Sequence, residues 1–141
     1  LSQLEMLDRL RLATLWRSMP QAELLVECEA RSVPQSTGNR SRDELVDLLL
    51  LDLCTDGFAE KGIPASHLSS FKAASILAED RERFQGMSLK ELRMEFVARD
   101  WPIGSWQREV DMLDQLMTAS VWDALDLPEL KKECSLRFLP L

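Results

Sequence analysis

The chain has 141 residues, 45% of them hydrophobic and 29% charged, a composition that suits one ordinary globular domain or a few very small units sharing a core. A net charge of −7 works against phosphate backbones, and no run of the sequence supplies the basic patch of a general nucleic-acid binder. Three scattered cysteines (Cys28, Cys54, Cys134) argue against a disulfide framework or a zinc site, and the lone His67 has no company for a metal site or a triad.

The chain begins at Leu1 rather than methionine, as a processed product whose targeting segment is already gone would begin. "LSQLEMLDRLRLATLW" sets Leu1, Leu4, Leu7 and Leu15 in helical register between charges, which predicts an amphipathic helix. Residues 45–54 predict a second helix, with "TDG" and Gly57 as its stop. "FAEKGIPAS" reads as a loop, and Ser66 as the cap of a helix over "HLSSFKAASILAEDRERF", whose Phe71, Ala74, Ile76, Leu77 and Phe84 form an apolar side; His67 falls early on its exposed surface. A further helix is expected around residues 107–118. No stretch alternates with period two, so the fold class is all-α. The longest apolar run, "ELVDLLLLDLC", is interrupted by Asp47 and Asp52 and falls far short of the roughly 20 residues that span a bilayer.

One pattern occurs three times. An aromatic (Trp16, Phe84, Trp122) is followed by Met19, Met87 or Leu125, then by Glu23-Leu24, Glu91-Leu92 or Glu129-Leu130. Next come Glu27, Glu95 or Glu133 and directly Cys28, Phe96 or Cys134, with Arg31, Arg99 or Arg137 after these. Each copy closes on an apolar residue and proline: Val33-Pro34, Trp101-Pro102, Leu139-Pro140. Leu24 and Cys28 share one helix face, so cysteine alternating with phenylalanine reads as a core slot rather than a nucleophile. The Glu–Arg pairs at i, i+4 read as solvated rungs worth about 0.2–0.5 kcal/mol each. Ser88 with Glu91, and Asp126 with Glu129, have capping-box spacing. Each proline ends its helix, and the apolar residue before it is expected to fold back as a plug.

A helix, a loop closing on apolar-proline, a glycine, and a second helix opening on a basic residue with Glu-Leu together resemble the SAP motif, a helix–extended loop–helix module. The first copy carries it as "ELLVECEARSVPQSTGNRSRDELVDLL", with Gly38 as loop glycine, Arg42 as the basic residue and Glu44-Leu45 opening helix two. In the second copy Gly104 comes one place early and Gln107 takes the basic position; the third reaches Leu141 without a second helix. The implied organisation is an N-terminal amphipathic helix (1–14), unit one (15–55), a loop and linking helix (56–83), unit two (84–118) and a partial unit three (119–141). The exposed "LRFLPL" end would then need cover, from further residues or a neighbour. The wording of the repeat is also similar to tandem units recurring in dinoflagellate algal proteins. That likeness implies a chloroplast location and a place as a peripheral subunit of a photosystem–antenna complex.

Two functional readings follow. The first is a non-catalytic structural or interaction subunit, with no cofactor, whose partners are other protein subunits. Its candidate contacts are Trp106, an extra loop tryptophan, Trp101, Leu48 and Leu51 on the helix apolar on nearly all sides, and Phe138 with Leu141. The second, implied by the SAP resemblance, is a nuclear DNA- or RNA-binding protein using Arg40, Arg42 and Lys61, with Arg17 nearby. No Gly-rich phosphate loop, metal-ligand cluster or nucleophile–histidine pairing suggests an enzyme.

Overall fold

The computed structural model describes residues 2–34 and 40–141. Among these the protein is all-α, with helices α1 (Gln3–Ser18), α2 (Gln21–Ala30), α3 (Arg42–Leu53), α4 (Thr55–Glu60), α5 (Phe71–Gln85), α6 (Leu89–Ala98), α7 (Glu109–Ala124) and α8 (Leu127–Leu136) and one 3₁₀ turn, Ala65–His67. Gly38, the expected loop glycine of the first unit, lies outside the described residues.

The helix starts follow from their caps. Ser2 and Glu5 exchange hydrogen bonds in a capping box at α1, and Ser88 and Glu91 do the same at α6, so two otherwise orphaned amides are satisfied at each start. Asp126 caps α8 by accepting from the Glu129 amide, but Glu129 does not return the bond; its carboxylate instead meets Lys132 Nζ and His67 Nδ1, both at 3.0 Å. His67 therefore ends the 3₁₀ turn and ties it to α8, rather than lying on an exposed helix.

Three helix ends share one geometry. Ser32, Asp100 and Phe138 adopt positive φ of 55°, 56° and 57°, and the next residue returns its amide to a carbonyl five residues back, as in Val33→Cys28, Trp101→Phe96 and Leu139→Cys134, each 2.9 Å. This is the Schellman closure, and it aims the plug residue back at its own helix. Val33 is buried and Trp101 packs edge-on against Phe96 at 5.3 Å, while Leu139 remains exposed.

The closure occurs a fourth time, where the sequence suggested only a loop. Gly62 has φ 73° and the Ile63 amide reaches the Phe58 carbonyl at 2.9 Å. Phe58, Lys61, Ile63 and Pro64 thus repeat the places of Cys28, Arg31, Val33 and Pro34. Gly57 is not a stop: it lies inside α4, and the break after α3 falls at Cys54. Burial of Phe58 and Ile63 beside Leu77 and Leu125 holds that extra helix turn in place. Ser66 likewise sits in the 3₁₀ turn, and Ser70 caps α5 instead, because buried Leu68 must enter the core in extended form first. Asp47 of α3 accepts the Phe71 amide at 2.8 Å and so joins α3 to the start of α5. α7 begins two residues later than expected and runs on to Ala124.

Three apolar clusters build the interior. The first joins Trp16, Leu24, Cys28 and Val33 to Leu45, Val46, Leu49 and Leu50; the second surrounds Leu51, Phe58, Ile63, Leu77 and Leu125; the third joins Phe84, Leu92 and Phe96 to Met112 and Leu116. Each fully buried large side chain stabilises by about 1.5–3 kcal/mol. The predicted leucine stripe of α1 does not join them: Leu4, Leu7 and Leu15 are exposed, because α1 packs on α3 through Leu12, Ala13 and Trp16. Ile76 is exposed on α5 as well.

The repeat arginines are more than solvated rungs. The Arg31 guanidinium lies 4.9 Å from the Trp16 ring, Arg137 4.9 Å from Trp122, and Arg99 6.0 Å from Phe84 and 5.6 Å from Trp101. Their glutamate partners Glu27, Glu133 and Glu95 hold them there. The pattern thus places a cation over its own first aromatic, an attraction worth about 0.5–1 kcal/mol at exposed sites and more when desolvated. Arg99→Ala is expected to cost about 1–2 kcal/mol in urea unfolding. Lysine at that position should restore less than half, since it lacks the planar face.

Candidate protein-docking groove

Between α6, α7 and the loop joining them lies an apolar groove of about 630 Å³. Trp101, Ile103 and Trp106 line it from the loop, Ala119 and Trp122 from α7, and Phe96 forms part of its base. The loop is fixed by side chains of its own neighbourhood. The Gly104 amide donates to Gln107 Oε1 at 2.7 Å, and Gln107 Nε2 donates to Gln115 Oε1 on α7 at 2.9 Å. Gln107, which stands at the basic position of the SAP-like pattern, is therefore a neutral bridge between loop and helix.

Gly104 lies in close approach to the Trp106 side chain. A Cβ there would stand 2.3 Å from Trp106 Nε1 and 2.5 Å from Cε2, so the indole lies directly against the glycine backbone. Trp106 is nonetheless 74% exposed: one part of the ring lies against Gly104 and the rest is offered to solvent beside the groove. A large exposed aromatic beside an apolar groove is the form that interface anchors take. The polar groups at the rim are Gln107, Asp114, Gln115 and Thr118, which suit orientation of a bound chain.

The other predicted contacts are distributed differently. Trp101 lines the groove as expected. Leu51 is buried in the second cluster and Leu48 packs half-buried against the first, so neither offers itself to a partner; α1, α2, α4 and α5 already surround α3. Phe138 is 94% and Leu141 81% exposed beyond α8. Arg40 is half-buried, 3.9 Å from Glu44, and its carbonyl accepts from Gln21 at 2.7 Å. Arg42 is exposed and approaches the Met19 carbonyl at 3.5 Å. Lys61 is exposed at the far end of the α3–α4 segment, and Arg17 is exposed at the end of α1. The structure does not gather these cations around the groove.

Cys28 is a core residue and Cys54 is half-buried, whereas Cys134, expected in an equivalent core slot, is only half-buried because α8 has no helix packed over that face among the described residues. Burial raises the Cys28 thiol, with Glu27 and Asp52 adding to the effect, and burial raises Cys54 as well; a raised thiol has little nucleophilic thiolate at neutral pH. Lys132 first and His67 second hold the Glu129 carboxyl below its ordinary value. Among the described residues no group of three or more His, Cys, Asp and Glu is placed to hold a metal ion, and no helix is long and apolar enough to cross a membrane.

Of the groove residues, only Trp101 and Trp106 are expected from the sequence as partner contacts. Trp122 was legible as a repeat aromatic, but its exposure to the groove depends on the path of α7. Comparison with protein-family models, curated proteins and solved structures returns no match to this chain.

Proposed function

We propose that this chain is a non-catalytic interaction subunit of a larger protein assembly, which it joins through the groove between α6 and α7. The observation that carries this reading is Trp106, lying against Gly104 and largely exposed beside a groove lined by Trp101 and Trp122. Aromatic anchors in such places supply much of the energy of protein association. The likeness of the repeats to those of dinoflagellate algal proteins supports a photosystem–antenna complex as the assembly, with this chain at its surface.

The test is sedimentation of the tagged chain from a native extract, with and without nuclease. Wild type is expected in a large, nuclease-resistant particle, and Trp106→Ala in the light fractions with its helix content unchanged. Removing an interface anchor of this kind typically costs 2 kcal/mol or more, about 30-fold in affinity. Release of the wild type by nuclease would overturn this reading in favour of nucleic-acid binding. Unchanged sedimentation of Trp106→Ala would remove the groove from it.

A further inference from the structure

Among the described residues, the contacts that set a cation over an aromatic ring have the same three parts. An arginine lies over the ring and a nearby carboxylate holds it: Arg31 over Trp16 with Glu27, Arg83 over Phe84 with Asp80, Arg99 over Trp101 with Glu95, and Arg137 over Trp122 with Glu133. Three of the four tryptophans are covered in this way. Trp106 is the most exposed of the four and has no cation over it among the described residues, which include all the arginines and lysines of the sequence.

The carboxylate for such a contact is already in place. Asp114 is the single charged residue that lines the groove beside Trp106; it is exposed on α7 and forms no ion pair among the described residues. The helix around it carries charge of one sign, with Glu109, Asp111, Asp114 and Asp123 and neither lysine nor arginine. The arginines over Trp101 and Trp122 are engaged by Glu95 and Glu133, so they do not neutralise Asp114. In a chain of net charge −7, an apolar groove with one unpaired carboxylate and an uncovered indole favours a cation.

We infer that the protein partner presents an arginine to this groove, with its guanidinium laid on the Trp106 indole and paired with Asp114. This rests on the groove being the docking site and names what the groove recognises. Arginine suits the place better than lysine, because its guanidinium is planar, stacks on an indole and is more weakly hydrated than an ammonium. The contact completes from outside the arrangement that the chain builds for its other tryptophans from within. Trp101, Ile103 and Trp122 then receive the apolar side chains that flank the arginine.

Two probes of one shape test the chemistry. Hexylguanidinium and its neutral counterpart hexylurea are titrated into the purified chain while the indole N–H signal of Trp106, assigned by its loss in Trp106→Phe, is followed by NMR. Hexylguanidinium is expected to bind at least about tenfold tighter than hexylurea, with hexylammonium between them. Asp114→Asn should remove the preference for charge with helix content unchanged. In the native extract, Asp114→Asn is expected to leave the large particle and Asp114→Glu to remain in it. Equal binding of the charged and neutral probes, a preference that survives Asp114→Asn, or tighter binding of hexylammonium than of hexylguanidinium would each overturn the inference. So would Asp114→Asn sedimenting with wild type, the result expected if a small free cation or another part of the chain occupies the groove. Release of Trp106→Ala with retention of Asp114→Asn would remove the arginine and leave the groove as the docking site; retention of both would remove the groove itself.

Discussion

Trp16→Ala is expected to lower the unfolding free energy by about 3–5 kcal/mol, measured by urea denaturation. The indole is fully buried among Leu24, Cys28, Leu45 and Leu49, so truncation leaves a cavity that only a rearrangement of α1, α2 and α3 would close. It also removes the ring beneath Arg31, whose guanidinium lies 4.9 Å from the centroid. Small domains have only about 5–15 kcal/mol of stability in all, so a large part of the folded population depends on this side chain. Trp122→Ala at the equivalent position should cost about 1–2 kcal/mol in dilute solution, because the half-buried ring leaves less apolar surface to lose. Equal losses at the two positions would mean that the α8 end is as well packed as the first unit, contrary to the structure.

Met112→Glu and Met6→Glu make a second, sharper pair. The residue exchanged is the same and the flanking sequence nearly so, but Met112 is fully buried in the third cluster and Met6 is exposed. A carboxylate at 112 finds only apolar neighbours there and must either remain protonated or unfold its surroundings. A loss of about 4 kcal/mol or more is expected, a large share of the stability of a small domain. Glutamate at position 6 is a good helix former near a helix N-terminus, where negative charge is favourable, so stability should stay within about 0.5 kcal/mol of wild type. Thermal unfolding followed by circular dichroism separates the two. A large loss at Met6 in dilute monomer would show that this face is already covered within one copy.

Much of the fold was legible because its signals are local. Leu24 and Cys28, like Leu92 and Phe96, repeat at a four-residue spacing that places them on one helix face, and Ser88 and Asp126 mark helix starts by chemistry with the nearest turn. The all-α class followed from the same local periodicity. What was not legible depends on distant partners. Gly57 reads as a stop, yet it lies within α4 because Phe58 and Ile63 are drawn into a cluster with Leu125, far along the chain. Leu51 reads as available for a partner because nothing in "ELVDLLLLDLC" says that α5 will cover it. At the candidate site, the two loop tryptophans were visible as extra aromatics, but the groove they share with Trp122 exists only once α7 passes beneath the loop.

The helices that end in a repeat aromatic carry one further consequence. From Ser2 to Trp16, from Ser70 to Phe84 and from Arg108 to Trp122 the interval between cap and aromatic is the same. The first part of α5 or α7 packs against what precedes it, and its last turn opens the unit that follows. Each helix is thus a ruler shared by two neighbours. One residue added inside α5 would turn everything after it by about 100° relative to everything before it, while the stretch from each closing proline to the next cap tolerates change: Pro34 to Ser41 is already one residue longer than Pro64 to Ser70 or Pro102 to Arg108. An insertion in one of these loops is therefore expected to leave the units packed as they are, where one inside a helix would not.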